Sequence, residues 1–115
     1  MMHDMEATLL KALADENRMR IVELLADGEK CICEIAAALD ASDALASHHV
    51  KTLREAGVVQ TRRVGRWLHC SLAPAAFDAL ADHFEKLARA ARRAPHTSDE
   101  DLRGCACATP DKART

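Results

Sequence analysis

The most constraining feature of this chain is a change of hydrophobic period between residues 31 and 72. Ile32, Ile35, Ala36 and Leu39 recur at i, i+3, i+4 and i+7, the spacing of one helical face. Asp40-Ala41 makes a tight turn and Ser42 is a good N-cap. The spacing therefore predicts a short helix from about Cys31 to Leu39 and another from Ser42 to Ala56, ended by Gly57. After Gly57 the period falls to two. Residues 59–64 and 66–72 read as two strands joined at Gly65, a short hairpin with a basic tip. Two helices joined by a three-residue turn and followed by such a hairpin make a winged helix-turn-helix, whose second helix enters the major groove.

The flanks complete a mainly α fold with a small β-hairpin. Met5, Leu9, Leu10 and Leu13 predict a first helix over roughly 4–14. Asp15 or Asn17 can cap a second, carrying Ile21, Leu24 and Leu25 and stopping at Asp27-Gly28. Pro74 suits the first turn of a long helix. Its stripe of Phe77, Leu80, Ala81, Phe84, Leu87, Ala88 and Ala91 is a seam for packing against another helix. Beyond Pro95 the chain turns polar, so 95–115 reads as a flexible, cysteine-containing tail behind a domain spanning 1–94. A domain this small gains appreciably from pairing with a second copy.

Charge is unevenly placed. Residues 1–41 carry a net −5, residues 42–72 a net +3, and residues 73–115 balance. The basic excess falls on the helix-turn-helix and hairpin, as expected if that segment alone meets a polyanion. Within the fourth helix, Leu45, His49 and Leu53 should point inward, with Val50 beside them. His49 reads as a satisfied, half-buried histidine. Ser42, Asp43, Ala44, Ser47 and His48 then suit close approach to base edges, and Lys51 and Arg54 suit phosphates. Arg62, Arg63 and Arg66 on the wing can reach the backbone or a narrow minor groove. Double-stranded operator DNA is the expected partner.

No apolar run approaches the ~20 residues of a membrane span, and the acidic start (His3, Asp4, Glu6) does not resemble a signal peptide. A cytoplasmic protein with no membrane partner is expected, its thiols held reduced. The five cysteines, at 31, 33, 70, 105 and 107, then read as metal or redox groups rather than a disulfide framework. Cys70 is the exception, because it follows the inward alternation of Leu68 and Leu72 and belongs in the core. Cys31 and Cys33 would lie about 160° apart on an ideal helix, so holding one ion together requires the first turn to loosen. Ligand capture would thus distort the helix that supports the recognition helix. Cys105 and Cys107 sit in Gly104-Cys105-Ala106-Cys107-Ala108, where no core needs filling.

Three stretches together, Cys31-Ile32-Cys33-Glu34-Ile35-Ala36, Ser47 to Val59 and Gly65 to Leu72, resemble the ArsR/SmtB family of metal-sensing repressors, over roughly residues 5–92. The resemblance implies a homodimer formed by the first and last helices, placing Leu9 and Leu13 with Phe77, Leu80, Phe84 and Leu87 at the interface. It implies operator binding, and release when an inducer binds. The Cys-x-Cys pair resembles that of the arsenic-responsive and cadmium/lead-responsive branches, with arsenite or antimonite the leading inducer. The arsenic repressors most like this chain carry a third cysteine where Ala36 stands. A pyramidal arsenite site wants three thiolates, so Cys105 or Cys107 is expected to supply the third. Four thiolates at Cys31, Cys33, Cys105 and Cys107 would instead suit cadmium, lead or zinc. The zinc-sensing branch also has a site on the long helix. Here Asp82 and His83 are adjacent, and Arg93 and Thr97 stand where later ligands belong, so no zinc site is expected there.

Two other readings stay open. One is a thiol redox switch, in which a disulfide or persulfide between helix and tail replaces metal. The other is a thiol enzyme or metal carrier, which nothing beyond the cysteines supports. No catalytic residues and no organic cofactor are expected.

Overall fold

A computed structural model describes residues 2–104, the side chains of 2–4 and 102 excepted. The elements in order are α1 (Met2–Leu13), α2 (Glu16–Leu25), β1 (Lys30–Cys31), α3 (Ile32–Leu39), α4 (Asp43–Ala56), β2 (Val59–Val64), β3 (Trp67–Leu72), α5 (Pro74–Arg93) and α6 (Asp99–Gly104). The chain divides into two compact units, one ending at Glu85 and one beginning at Lys86, so α5 contributes residues to each.

Local chemistry sets the element ends. Asp15, in extended conformation, accepts hydrogen bonds from the backbone N–H groups of Asn17 and Arg18 and so caps α2. The Arg18 Nε–H donates to the Ala12 carbonyl at 2.6 Å, fixing the corner between α1 and α2. Asp40 ends α3 in the left-handed region at φ 53°, which a short polar side chain tolerates better than most. Ser42 Oγ accepts from the Leu45 N–H at 3.0 Å and opens α4. Gly57 closes α4 at φ 91°, a conformation open to glycine at little cost.

The core of the first unit is aliphatic. Ile21, Val22 and Leu25 of α2, Ile35, Ala36 and Leu39 of α3, and Ala46, Val50 and Leu53 of α4 form one cluster with Val58, Val59 and Cys70. Leu9 and Ala12 of α1 and Ala76 and Leu80 of α5 close it. Each fully buried aliphatic side chain of this size contributes about 1.5–3 kcal/mol.

The structure departs from the sequence expectations in several places. The hairpin is the larger part of a three-stranded antiparallel sheet of order β1-β3-β2, with Lys30 opposite Cys70 and Cys31 opposite His69. Cys31 consequently precedes α3 instead of opening it. Leu45 is 44% exposed, because the buried face of α4 runs through Ala46, His49, Val50 and Leu53, a register of i, i+3, i+4 and i+7 that leaves 45 outside. Residues 99–104, expected to be irregular, form α6. Of the residues assigned to a dimer interface, Leu9 and Leu80 lie in this chain's own core, and Leu13 and Phe77 pack partly against it.

Candidate nucleic-acid interface and thiol site

Every side chain assigned to base edges or phosphates on α4 is exposed: Ser42, Asp43, Ala44, Ser47, His48, Lys51 and Arg54. α4 presents this polar face because its opposite face is anchored by Leu53 and Val50, both essentially inaccessible. His49 belongs to the anchored face, 8% exposed. Its Nδ1 is buried, with no hydrogen-bond partner among the described residues.

The wing is built on the β2–β3 register that pairs Val64 with Trp67 and Arg62 with His69. Gly65 takes φ 61° in the turn between them, which spares the tip a side-chain clash. Arg62, Arg63 and Arg66 are all exposed, but they differ in what they touch. The Arg66 guanidinium lies 5.5 Å from the ring centroid of Trp67, a cation–π arrangement on a half-exposed indole. The Arg62 Nε–H and Nη2–H donate to the two carboxylate oxygens of Glu29 at 2.7 and 2.8 Å. The His69 Nδ1 is 3.9 Å from the same carboxylate. The hydrogen bond from Arg62, then its charge and that of His69, hold the Glu29 carboxyl below its ordinary range against the effect of burial.

The thiol pair stands at the opposite end of β1 from Glu29. Cys31 is extended (φ −82°, ψ 164°) and is the N-cap residue of α3, while Cys33 lies in its first turn. Their Cα atoms are 5.4 Å apart and their sulfurs are joined in a disulfide. The angular argument from an ideal helix therefore does not apply. An extended N-cap residue lets Cys31 reach Cys33 without any loosening of α3. The Glu34 carboxylate accepts a hydrogen bond from the Cys31 N–H at 2.9 Å, which braces this junction. Cys31 is buried and Cys33 exposed. Ala36, one turn further on, is in the core. Cys105 and Cys107 lie outside the described residues, and among the described residues no cluster of three or more His, Cys, Asp or Glu is placed to hold an ion. Cys70 is fully buried. Desolvation, then the charge of Glu29, raises its thiol to about 11, so it stays protonated at neutral pH.

The motif order and geometry agree with comparison to known proteins. Residues 15–61, from the cap of α2 into β2, match the family model described as bacterial regulatory protein, arsR family. The arsenical resistance operon repressor of Escherichia coli (strain K12) is 46% identical over 67 residues, 57% of each chain. The crystal structure of a possible transcriptional regulatory protein (fragment 1–100) from Mycobacterium bovis is 31% identical, with TM-score 0.62, covering 75% of this chain and 92% of that one. The chain belongs to the arsR family. A solution structure from the same organism, of the homodimeric winged helix-turn-helix DNA-binding domain of a possible ArsR-family regulator, covers 83% of this chain and 88% of that one at 29% identity and TM-score 0.62. A cadmium resistance regulatory protein CadC homolog of Staphylococcus aureus is 37% identical over 67 residues, 57% of this chain and 55% of that one. The chain thus spans little more than half the length of the named arsenic and cadmium regulators. The winged helix-turn-helix expected from the sequence is the fold of this ArsR-family regulator, and no helix among its described residues is long and apolar enough to cross a membrane.

Glu29 and the strand β1 were not foreseen. Two residues give no period to read, and the pairing partners of β1 and Glu29 lie far along the chain. The one local signal was Gly28, whose φ of 135° turns the chain out of α2 toward the sheet.

Proposed function

We propose that this chain is a homodimeric transcriptional repressor whose α4 and wing bind operator DNA, and which leaves the operator when the thiolates of Cys31 and Cys33 capture arsenite or antimonite. Cys105 or Cys107 supplies the third sulfur. The observation that carries this reading is the convergence of Cys31 and Cys33 at the start of α3, the helix packed against α4. Soft, thiophilic ions favour sulfur donors, and the resemblance to the arsenical resistance repressor of E. coli supports arsenic. Ser42, Asp43, Ala44, Ser47 and His48 face base edges, while Lys51, Arg54, Arg63 and Arg66 face phosphates.

The test is a DNA-release titration with arsenite, antimonite, cadmium, lead and zinc on wild type, Cys31→Ser and the Cys105→Ser/Cys107→Ser double variant. Arsenite is expected to release wild type at concentrations that leave both variants bound. Unchanged release from the tail variant would sink the role of the tail sulfurs. The similarity to a cadmium regulator makes four-sulfur cadmium the competing assignment, and X-ray absorption separates it from three-sulfur arsenic.

The disulfide between Cys31 and Cys33 favours a second reading, in which oxidation of this pair is itself the signal. Two thiols give up two protons and two electrons to an oxidant such as a peroxide, which is reduced as the S–S bond forms. Operator release by peroxide in chelated, metal-free buffer would select it.

A further inference from the structure

The bridge between Glu29 and Arg62 lies outside every role assigned so far, and its placement is informative. Glu29 stands immediately before β1, which ends at Cys31. Across the sheet, Cys31 is opposite His69, and His69 is opposite Arg62. Residues directly opposite one another in antiparallel strands share a face. The row Cys31–His69–Arg62 therefore crosses the sheet from the thiol pair to the wing. Glu29 closes the row from outside, gripping Arg62 through both carboxylate oxygens and standing 3.9 Å from His69.

The geometry points to Glu29 as the positioning residue that couples the thiol pair to the wing, by tying the strand that carries Cys31 to Arg62 on β2. The inference rests on the reading of Cys31 and Cys33 as the inducer site. β1 is only two residues long, so a ligand that moves Cys31 moves Glu29 with it. A bidentate guanidinium–carboxylate pair fixes direction as well as distance, so the displacement reaches β2 as a change in wing orientation. The pair itself is solvent-exposed, with side chains 64% and 31% accessible, and exposed pairs of this kind add little to folding stability. Its consequence is therefore positional. Arg62 stays on Glu29 when DNA is bound, and Arg63 and Arg66 meet the phosphates.

Operator affinity is measured by fluorescence anisotropy with and without saturating arsenite, for wild type, Glu29→Gln, Arg62→Gln and the double variant. Arsenite affinity is followed separately through thiolate absorbance. Arg62→Gln removes one positive charge from the wing and leaves Glu29 unneutralised, which shifts operator affinity in both states, so for it only the ratio of affinities with and without arsenite is read. Coupled sites commonly show about 5–150-fold effects. Wild type is expected in that range, Glu29→Gln at about threefold or less with arsenite affinity unchanged, and the double variant no lower than either single one. A purely structural brace would weaken operator binding equally in both states and leave the ratio at its wild-type value. That result overturns the inference and leaves the inducer reading standing. Failure of arsenite to release wild type removes both.

Discussion

Asp15 joins two elements through one carboxylate. It caps α2 through the N–H groups of Asn17 and Arg18, and Arg18 in turn holds the Ala12 carbonyl of α1. Burial alone would raise its pKa, but those two N–H groups and the charges of Arg18 and His49 bring it below its ordinary 3.8. A carboxyl with a depressed folded pKa stabilises the fold fully above its unfolded value, and the contribution is lost as pH falls through the folded value. Acid titration of unfolding free energy should therefore fall more steeply below pH 3.8 in wild type than in Asp15→Asn, which keeps a neutral capping acceptor. Identical slopes would count against the assignment. From sequence, Asp15 and Asn17 were equal candidates for this cap. What separated them was backbone conformation, since Asp15 is extended and residue 17 is already helical. Cys70 was legible for the opposite reason: strand alternation assigns a side without reference to any partner.

On the wing, three arginines with the same sequence character have different electrostatic standing. Arg62 is already neutralised by Glu29, while Arg63 has no ion-pair partner among the described residues and Arg66 is engaged with the Trp67 ring. Each phosphate contact removed lowers the steepness of log affinity against log salt by about 1. Arg63→Ala and Arg66→Ala should each show that reduction, uniformly across operator and unrelated DNA, and Arg62→Ala should show a smaller one. Equal changes at all three positions would mean that the Glu29 bridge opens on DNA. The limits of α4 were readable to the residue because Ser42 and Gly57 are chemically specific signals at either end. β1 was not, because two residues carry no pattern and its existence depends on β3 arriving beside it. That one unread strand changed the thiol site, converting an awkward pair on a helix into neighbours across a strand–helix junction.

For the molecule as a whole, the apolar surface left over says most. Met5, Leu10, Phe84 and Leu87 are exposed, on the two helices that the family resemblance assigns to the dimer. Leu9 and Leu80, assigned with them, were absorbed into the chain's own core. The heptad-like spacing of α5 told of a buried stripe but not of how it is shared between core and partner, because both faces want the same residues. Phe84→Glu should convert a dimer into monomers in sedimentation velocity, because an interface cannot bury an unpaired carboxylate, while circular dichroism of the fold is unchanged. A wild-type chain that already sediments as a monomer at the same concentration would refute the pairing. The bond between Cys31 and Cys33 has its own consequence for a population of such molecules. A sulfur pair bonded to itself has no lone thiolate to offer, so under the proposed release mechanism oxidation and ion capture would draw on the same stock of chains. Where a thiol buffer keeps the two forms in equilibrium, the ion concentration needed for half-release would rise in inverse proportion to the reduced fraction. On that mechanism the threshold of response would be set by the reductant around the protein as much as by its own affinity.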